Sequence, residues 1–102
     1  MVSSLDAFFC LNAAADFYVD LRILTIEMSK DSSVRLERNE VARIAHALHQ
    51  SGHLRRLRYH AEKQAYEEFV SSSPVEDVDW FEITQEGRTE LDRLYLDDSP
   101  SP

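Results

Sequence analysis

The chain is short of the residues that break or cross-link a fold: 102 residues include two Gly, three Pro and one Cys. A single cysteine excludes an internal disulfide, and a reducing, cytoplasmic setting is the default expectation. Cys10 is flanked by Phe8, Phe9 and Leu11. No His or Lys stands near it in sequence to lower its pKa, so a buried, inert thiol is expected. Pro74, Pro100 and Pro102 all lie in Ser-rich stretches, so long irregular loops are expected to be few. No apolar run approaches the roughly 18 residues that span a bilayer, and Asp16, Asp20 and Arg22 interrupt the longest candidate. The opening MVSSLDAFF has no Arg or Lys ahead of its apolar residues, unlike a secretory leader. Neither end carries an acylation or prenylation motif. There is no Gly-rich phosphate loop, no G-x-S-x-G, no H-E-x-x-H and no C-x-x-C. The sequence therefore carries no catalytic signature and implies no cofactor.

What is present is the composition of an ordinary globular protein, 43% hydrophobic and 29% charged, with room for one modest core. One domain is expected over residues 1–96, with 97–102 as a disordered tail. The formal net charge of −8 is unevenly spread. Residues 1–34 carry two basic and five acidic groups, residues 35–63 seven and three, and residues 64–102 two and eleven, giving −3, +4 and −9. Nine of the eleven basic residues are Arg, whose planar fork suits phosphate or carboxylate.

Periodicity predicts a helix over residues 4–29, capped by Ser3 or Ser4, with Phe17, Leu21, Leu24 and Met28 in one apolar stripe. Unbroken, it would be about 39 Å long. Either it breaks near Asn12 or its first half lies on a second subunit, and a homodimer through this helix is the expectation. "VRLE" (34–37) reads as a short strand. Asn39 reads as the cap of a helix over 40–51, where Val41, Ile44, Ala45 and Leu48 form an inward face. Arg43, His46 and Gln50 then lie outward, and Gly52 ends the helix in the left-handed conformation. "HLRRLRYH" (53–60) reads as a strand that "AYEEFV" (65–70) pairs with or extends. After a polar tip around Pro74, "VDWFEIT" (78–84) returns, with Phe81 and Ile83 alternating with Trp80 and Glu82. Thr84 caps a last helix whose buried stripe is Leu91, Leu94 and Tyr95. The fold expected is α+β: three helices packed with a β-hairpin, and "VRLE" as a short third strand.

Two segments add a resemblance. "LHQSGHLRRL" (48–57) is similar to the place in winged-helix proteins where a helix ends at Gly and an apolar residue starts the wing. "FEITQEGRTELDRL" (81–94) resembles the wing exit of the multiple-antibiotic-resistance and phenolic-acid-regulator families. It also resembles an uncharacterised prokaryotic and phage family ending in "LTWEGHEFLD". The resemblance implies a small winged-helix-like domain of prokaryotic or phage type. Its mechanics are plain: Thr84 turns strand into helix, and Gly87, lacking a side chain, lets the helix start lie close to the sheet. One departure stands out. The 46 residues from Asn39 to Thr84 leave the middle about one helix short of a helix-turn-helix plus wing.

Three constellations could carry function. The acidic wing, Glu67, Glu68, Glu76, Asp77 and Asp79, could mimic nucleic-acid phosphate on a basic protein; the plainer reading is a solvated face. The Arg-rich middle, Arg35, Arg38, Arg43, Arg55, Arg56 and Arg58 with His46, could contact DNA phosphates, or could pair internally with the acidic wing and final helix. His46, His49 and His53 follow a helical ligand spacing, but no Asp, Glu or Cys completes a known motif, and no metal is expected. The leading expectation is a non-enzymatic protein-binding module or inhibitor that uses the acidic wing, in the manner of DNA-mimicking anti-CRISPR proteins. The alternative is a DNA-binding transcriptional regulator of winged-helix type. A protein partner is favoured, DNA is the other candidate, and no membrane is involved.

Overall fold

The computed structural model describes residues 2–70 and 72–98. Ser3 accepts the Asp6 N–H at 3.1 Å and starts α1 (Ser4–Ala13), whose first turn holds Asp6 near the positive dipole end. The helix does not continue. Residues 14–18 leave it, Val19–Asp20 form the short strand β1, and the Asp20 carboxylate accepts the Ile23 N–H at 2.8 Å to cap α2 (Leu21–Ser32). Of the two outcomes expected for residues 4–29, the break near Asn12 is the one found: α1 ends at Ala13, and two helices with a strand between them replace the single span, Asp20 acting as a cap rather than as a polar position within a helix. The length problem disappears with the break. α1 packs on α2, α3 (Arg38–Gln50) and α4 (Gln85–Asp98) of its own chain, which removes the reason to invoke a second subunit there.

Ser33 ends α2 in the left-handed region (φ 59°). Residues 34–37 form no strand; the third strand expected there is instead β1. Asn39 is not a cap but lies in the first turn of α3. Glu37 holds the cap position without a side-chain hydrogen bond. The inward face of α3 is the expected one, with Val41, Ile44, Ala45 and Leu48 buried, and Gly52 follows at φ +85°.

β2 (Leu54–His60), β3 (Ala65–Glu68) and β4 (Asp79–Ile83) complete an antiparallel sheet in the order β1-β4-β2-β3. "AYEEFV" thus pairs with β2 rather than extending it. Leu54 lies opposite Ile83, Arg56 opposite Phe81 and Val19 opposite Phe81 on its other side. This register sets one sheet face of Leu54, Phe81 and Ile83 against Leu11, Leu24, Met28, Val41 and Leu94 of the helices, forming one core. The result is an α+β domain with four helices, not three, and four strands among the described residues. α4 runs to Asp98, two residues into the span expected as a tail, and 99–102 lie outside the described residues.

The exit from β4 has the expected mechanics. Thr84 Oγ1 accepts the Gly87 N–H at 2.9 Å and donates to the Gly52 carbonyl at 2.7 Å, fastening α4 to the end of α3. Tyr95 departs from expectation: it is 62% exposed and stacks on Phe8 with ring centres 6.4 Å apart. Phe17, expected in a buried stripe, sits in the 14–18 segment at 76% exposure. Among the described residues no helix is long and apolar enough to cross a membrane. Cys10 is fully buried, and burial, with Asp6 nearby, pushes its thiol up to about 12, so it is inert at neutral pH.

Candidate functional site

The charged middle and the acidic wing meet on the sheet. Arg56 points from β2 toward the core side and is completely buried, as is Asp79 at the start of β4. Arg56 Nε and Nη2 donate to Asp79 Oδ2 at 3.0 and 2.6 Å. The same guanidinium donates to the carbonyls of Ser73 (2.7 Å) and Pro74 (2.8 Å). Arg58 Nε donates to Asp79 Oδ1 at 2.9 Å and Nη2 to Glu76 at 2.7 Å, while the Glu76 N–H donates to Asp79 Oδ2 at 2.7 Å. Phe69 lies under both guanidiniums, each 4.8 Å from its ring centre. Arg38 on α3 reaches Asp77 at 3.2 Å. This clasp draws the segment after β3 back over the sheet and brings Val75 against the core.

Burial pushes the Asp79 carboxyl up, but the Glu76 N–H and the Arg56 and Arg58 guanidiniums outweigh it and hold the carboxyl below the usual carboxylate range. Hydrogen bonds from Lys63 and Arg93 likewise lower Glu67 and Glu90. A carboxyl whose folded pKa lies below its unfolded value, about 3.9 for Asp and 4.3 for Glu, contributes its full stability above that value and loses it as pH falls through the folded pKa. Urea midpoints are therefore expected to hold from neutral pH to about pH 5 and to fall below about pH 4. Equal midpoints at about pH 7 and pH 3 would contradict the clasp.

On the opposite sheet face Arg55 bridges Glu68 (2.5 Å) and Glu82 (2.6 Å), and the hydrogen bond to Glu68 raises its pKa further. Glu67 is held by Lys63 at 2.7 Å and His60 at 3.3 Å. Every carboxylate of the expected acidic wing thus has a cationic or imidazole partner. Of the six arginines in the middle, four are paired and one of those, Arg56, is withdrawn from any surface, as is Asp79. Arg35 in the α2–α3 turn and Arg43 on α3 are exposed and make no ion pair among the described residues. Asn39 and Glu40 are exposed beside them, and His46 is half-buried with its Nδ1 unpartnered. A groove of about 430 Å³ runs between this part of α3 and Pro74–Val75, lined by Asn39, Arg43 and His46.

The three histidines do not converge. His49 Nδ1 contacts the Leu54 carbonyl at 3.1 Å, and His53 Nδ1 contacts Ser51 Oγ at 2.7 Å. Among the described residues no three His, Cys, Asp or Glu side chains come together as a metal set.

Sequence reasoning held internal pairing of the Arg-rich middle with the acidic wing as one of its two readings, but two features lay beyond it. One is the particular partnering in the clasp, where Arg56–Asp79 and Arg58–Glu76 span 23 and 18 residues and meet only in the folded chain. The other is an aromatic group on the solvent face of the sheet: Tyr66 lies 4.7 Å from Tyr18, 5.0 Å from Tyr59 and 5.4 Å from Trp80, centre to centre. "HLRRLRYH" hides it, since both parities of that strand mix charged and apolar residues. In comparisons with known proteins, no family model matches the chain, and no curated protein or solved structure matches it.

Proposed function

We propose that the chain is a DNA-binding protein of winged-helix type, acting as a transcriptional regulator. α3 would enter the major groove, with the β2–β3 hairpin along the neighbouring backbone. The observation that carries this is the outer face of α3: Arg43, with Arg35 in the turn before it, stands exposed without a carboxylate partner next to exposed Asn39. Arg suits phosphate or guanine, and Asn suits adenine. The element order is also favourable. α2, a turn over residues 33–37 and α3 lead into the hairpin, and β1 adds to the returning strand β4. The break at residues 14–18 makes α2 a separate helix just before α3, so a helix pair precedes the hairpin although the described residues of 39–84 hold a single helix.

The rival reading, an acidic wing offered to a basic protein, has less to stand on. Glu67, Glu68, Glu76, Asp77 and Asp79 are compensated by neighbouring Arg, Lys or His, so little free negative charge remains there to imitate phosphate. The formal charge of −8 does oppose DNA at long range, so affinity is expected to be modest and to rest on few contacts. A gel shift with mixed-sequence duplex at about 50 mM salt tests the proposal. A shift is expected, and Arg35→Ala with Arg43→Ala should weaken it and reduce the salt slope by about 2. Absence of any shift at that salt overturns it.

A further inference from the structure

Among the described residues, no helix lies over the aromatic group on the solvent face of the sheet. Leu57 lies in that face opposite Trp80, is buried, and stands outside the main core. Its cross-strand neighbours on that face are Trp80 and Glu68, and Trp80 belongs to a ring cluster with Tyr66 and Tyr59. Tyr18, just before β1, joins the cluster through Tyr66, and the adjacent Phe17 is 76% exposed. Tyr18 is 39% and Tyr59 48% exposed. A strip of Tyr, Trp and Phe that leaves this much ring area in water is the composition of an interface centre rather than of a solvated sheet face.

Charge indicates what would cover it. At the Phe17 end the strip opens into a groove of about 470 Å³ lined by Asp16, Tyr18, Ile23, Glu27 and Asp31. Asp16, Glu27 and Asp31 make no ion pair among the described residues, in contrast to the compensated carboxylates of the wing. Glu27 and Asp31 stand one turn apart on α2, an arrangement of like charges that costs helix stability. Arg22 and Lys30, on the same helix, do not line the groove. Arg55, the cation within the sheet face, is consumed by Glu68 and Glu82. Arg88 lines the adjoining groove of about 290 Å³ together with Glu82 and donates to the Ala15 carbonyl at 3.0 Å.

We propose that this strip and groove dock a basic segment of a partner protein, with Arg or Lys side chains held between the aromatic faces and the free carboxylates of α2 and the 14–18 segment. Guanidinium and ammonium groups are attracted to aromatic faces, and the free carboxylates give the complementary field. The rings alone would also suit unpaired bases, but carboxylates without counter-charges repel phosphate. The surface uses none of the α3 residues offered to DNA, so the two proposals fail independently.

Trp80 is the only tryptophan in the chain, and its emission reports occupancy of the strip. The experiment titrates the protein with a fluorescein-labelled peptide of alternating Arg and Leu, its Glu-for-Arg counterpart and oligo-dT, reading peptide anisotropy and, with unlabelled copies, Trp80 emission. The Arg peptide is expected to bind and change the emission, and the other two to do neither. The triple variant Phe17→Ala, Glu27→Gln, Asp31→Asn, all at non-core positions, should keep its unfolding midpoint and lose about tenfold or more in affinity. No response to the Arg peptide, an equal response to the Glu peptide, stronger binding of oligo-dT, or unchanged affinity in the triple variant overturns the proposal. So does a concentration-dependent dimer that Phe17→Ala abolishes, which would make the occupant a second copy. If the triple variant loses its unfolding midpoint, Phe17→Ala alone is read against the same criteria.

Discussion

Asp79→Ala is expected to lose about 3–5 kcal/mol of stability, a large part of the roughly 5–15 kcal/mol that holds a domain of this size. The loss comes from what is left behind rather than from what is removed. Arg56 is completely buried, and after the substitution its guanidinium keeps the Ser73 and Pro74 carbonyls and the Phe69 ring, but no carboxylate. A charge out of water with dipoles but no counter-ion is the costly case. Arg58 loses its Asp79 contact too, and the Glu76 N–H loses its acceptor. The companion experiment fixes the cause. Arg56→Met with Asp79→Leu removes both charges and should be less destabilised than Asp79→Ala alone, because an apolar pair of similar volume carries no desolvation penalty. Urea unfolding of the single and double variants measures both terms. A loss under about 1 kcal/mol for Asp79→Ala would mean that the clasp does not hold the wing.

Gly87→Ala is expected to destabilise by about 3 kcal/mol, although Ala is the better helix former by about 1 kcal/mol. The opposite sign is what makes the test sharp. A Cβ at Gly87 would lie 2.1 Å from the His53 carbonyl oxygen and 2.7 Å from Ile83 Cγ1. The carbonyl cannot swing aside cheaply, since it accepts the Thr84 N–H at 3.1 Å. The first turn of α4 must therefore lift from the start of β2. That strains the two Thr84 hydroxyl bonds to Gly52 and Gly87 that join α3, β4 and α4. A thermal midpoint at or above that of the parent would show that α4 does not sit on β2 this closely.

These two positions mark what local pattern carries and what it does not. Gly87 and Thr84 act within a few residues of each other, so their mechanics are legible from "FEITQEGRTELDRL" alone. The inward face of α3 is legible for the same reason: Val41, Ile44, Ala45 and Leu48 repeat at helical spacing. Only the length of an unbroken helix points to a break near Asn12; no Gly or Pro marks residues 14–18, and Phe17 continues the spacing of Leu21, Leu24 and Met28. Asp20 was the available signal, as a cap residue immediately before an apolar periodic run. The pairing of Arg38, Arg55, Arg56 and Arg58 with Asp77, Glu82, Asp79 and Glu76 lies beyond local pattern. Those partners are separated by 18 to 39 residues, and their meeting follows from strand register for the β2 arginines and from the path of the segment before β4 for Arg38 and Asp77. Internal compensation of the wing was one of two readings open to the sequence, and only the register chooses between them.

The sheet order has one more consequence. On one side the sheet ends in β1, too short at two residues to offer a neighbour much purchase. On the other it ends in β3, which among the described residues pairs with β2 alone, leaving its outer edge without a strand partner there. Glu67 and Glu68 stand on that margin, with Lys63 and Arg55 bound to them, and charge of this kind discourages a foreign strand from adding to the edge. The residues that the sequence presents as a recognition surface thus also serve as a fence. Without that fence the same edge would be a template on which one molecule could lengthen the sheet of the next.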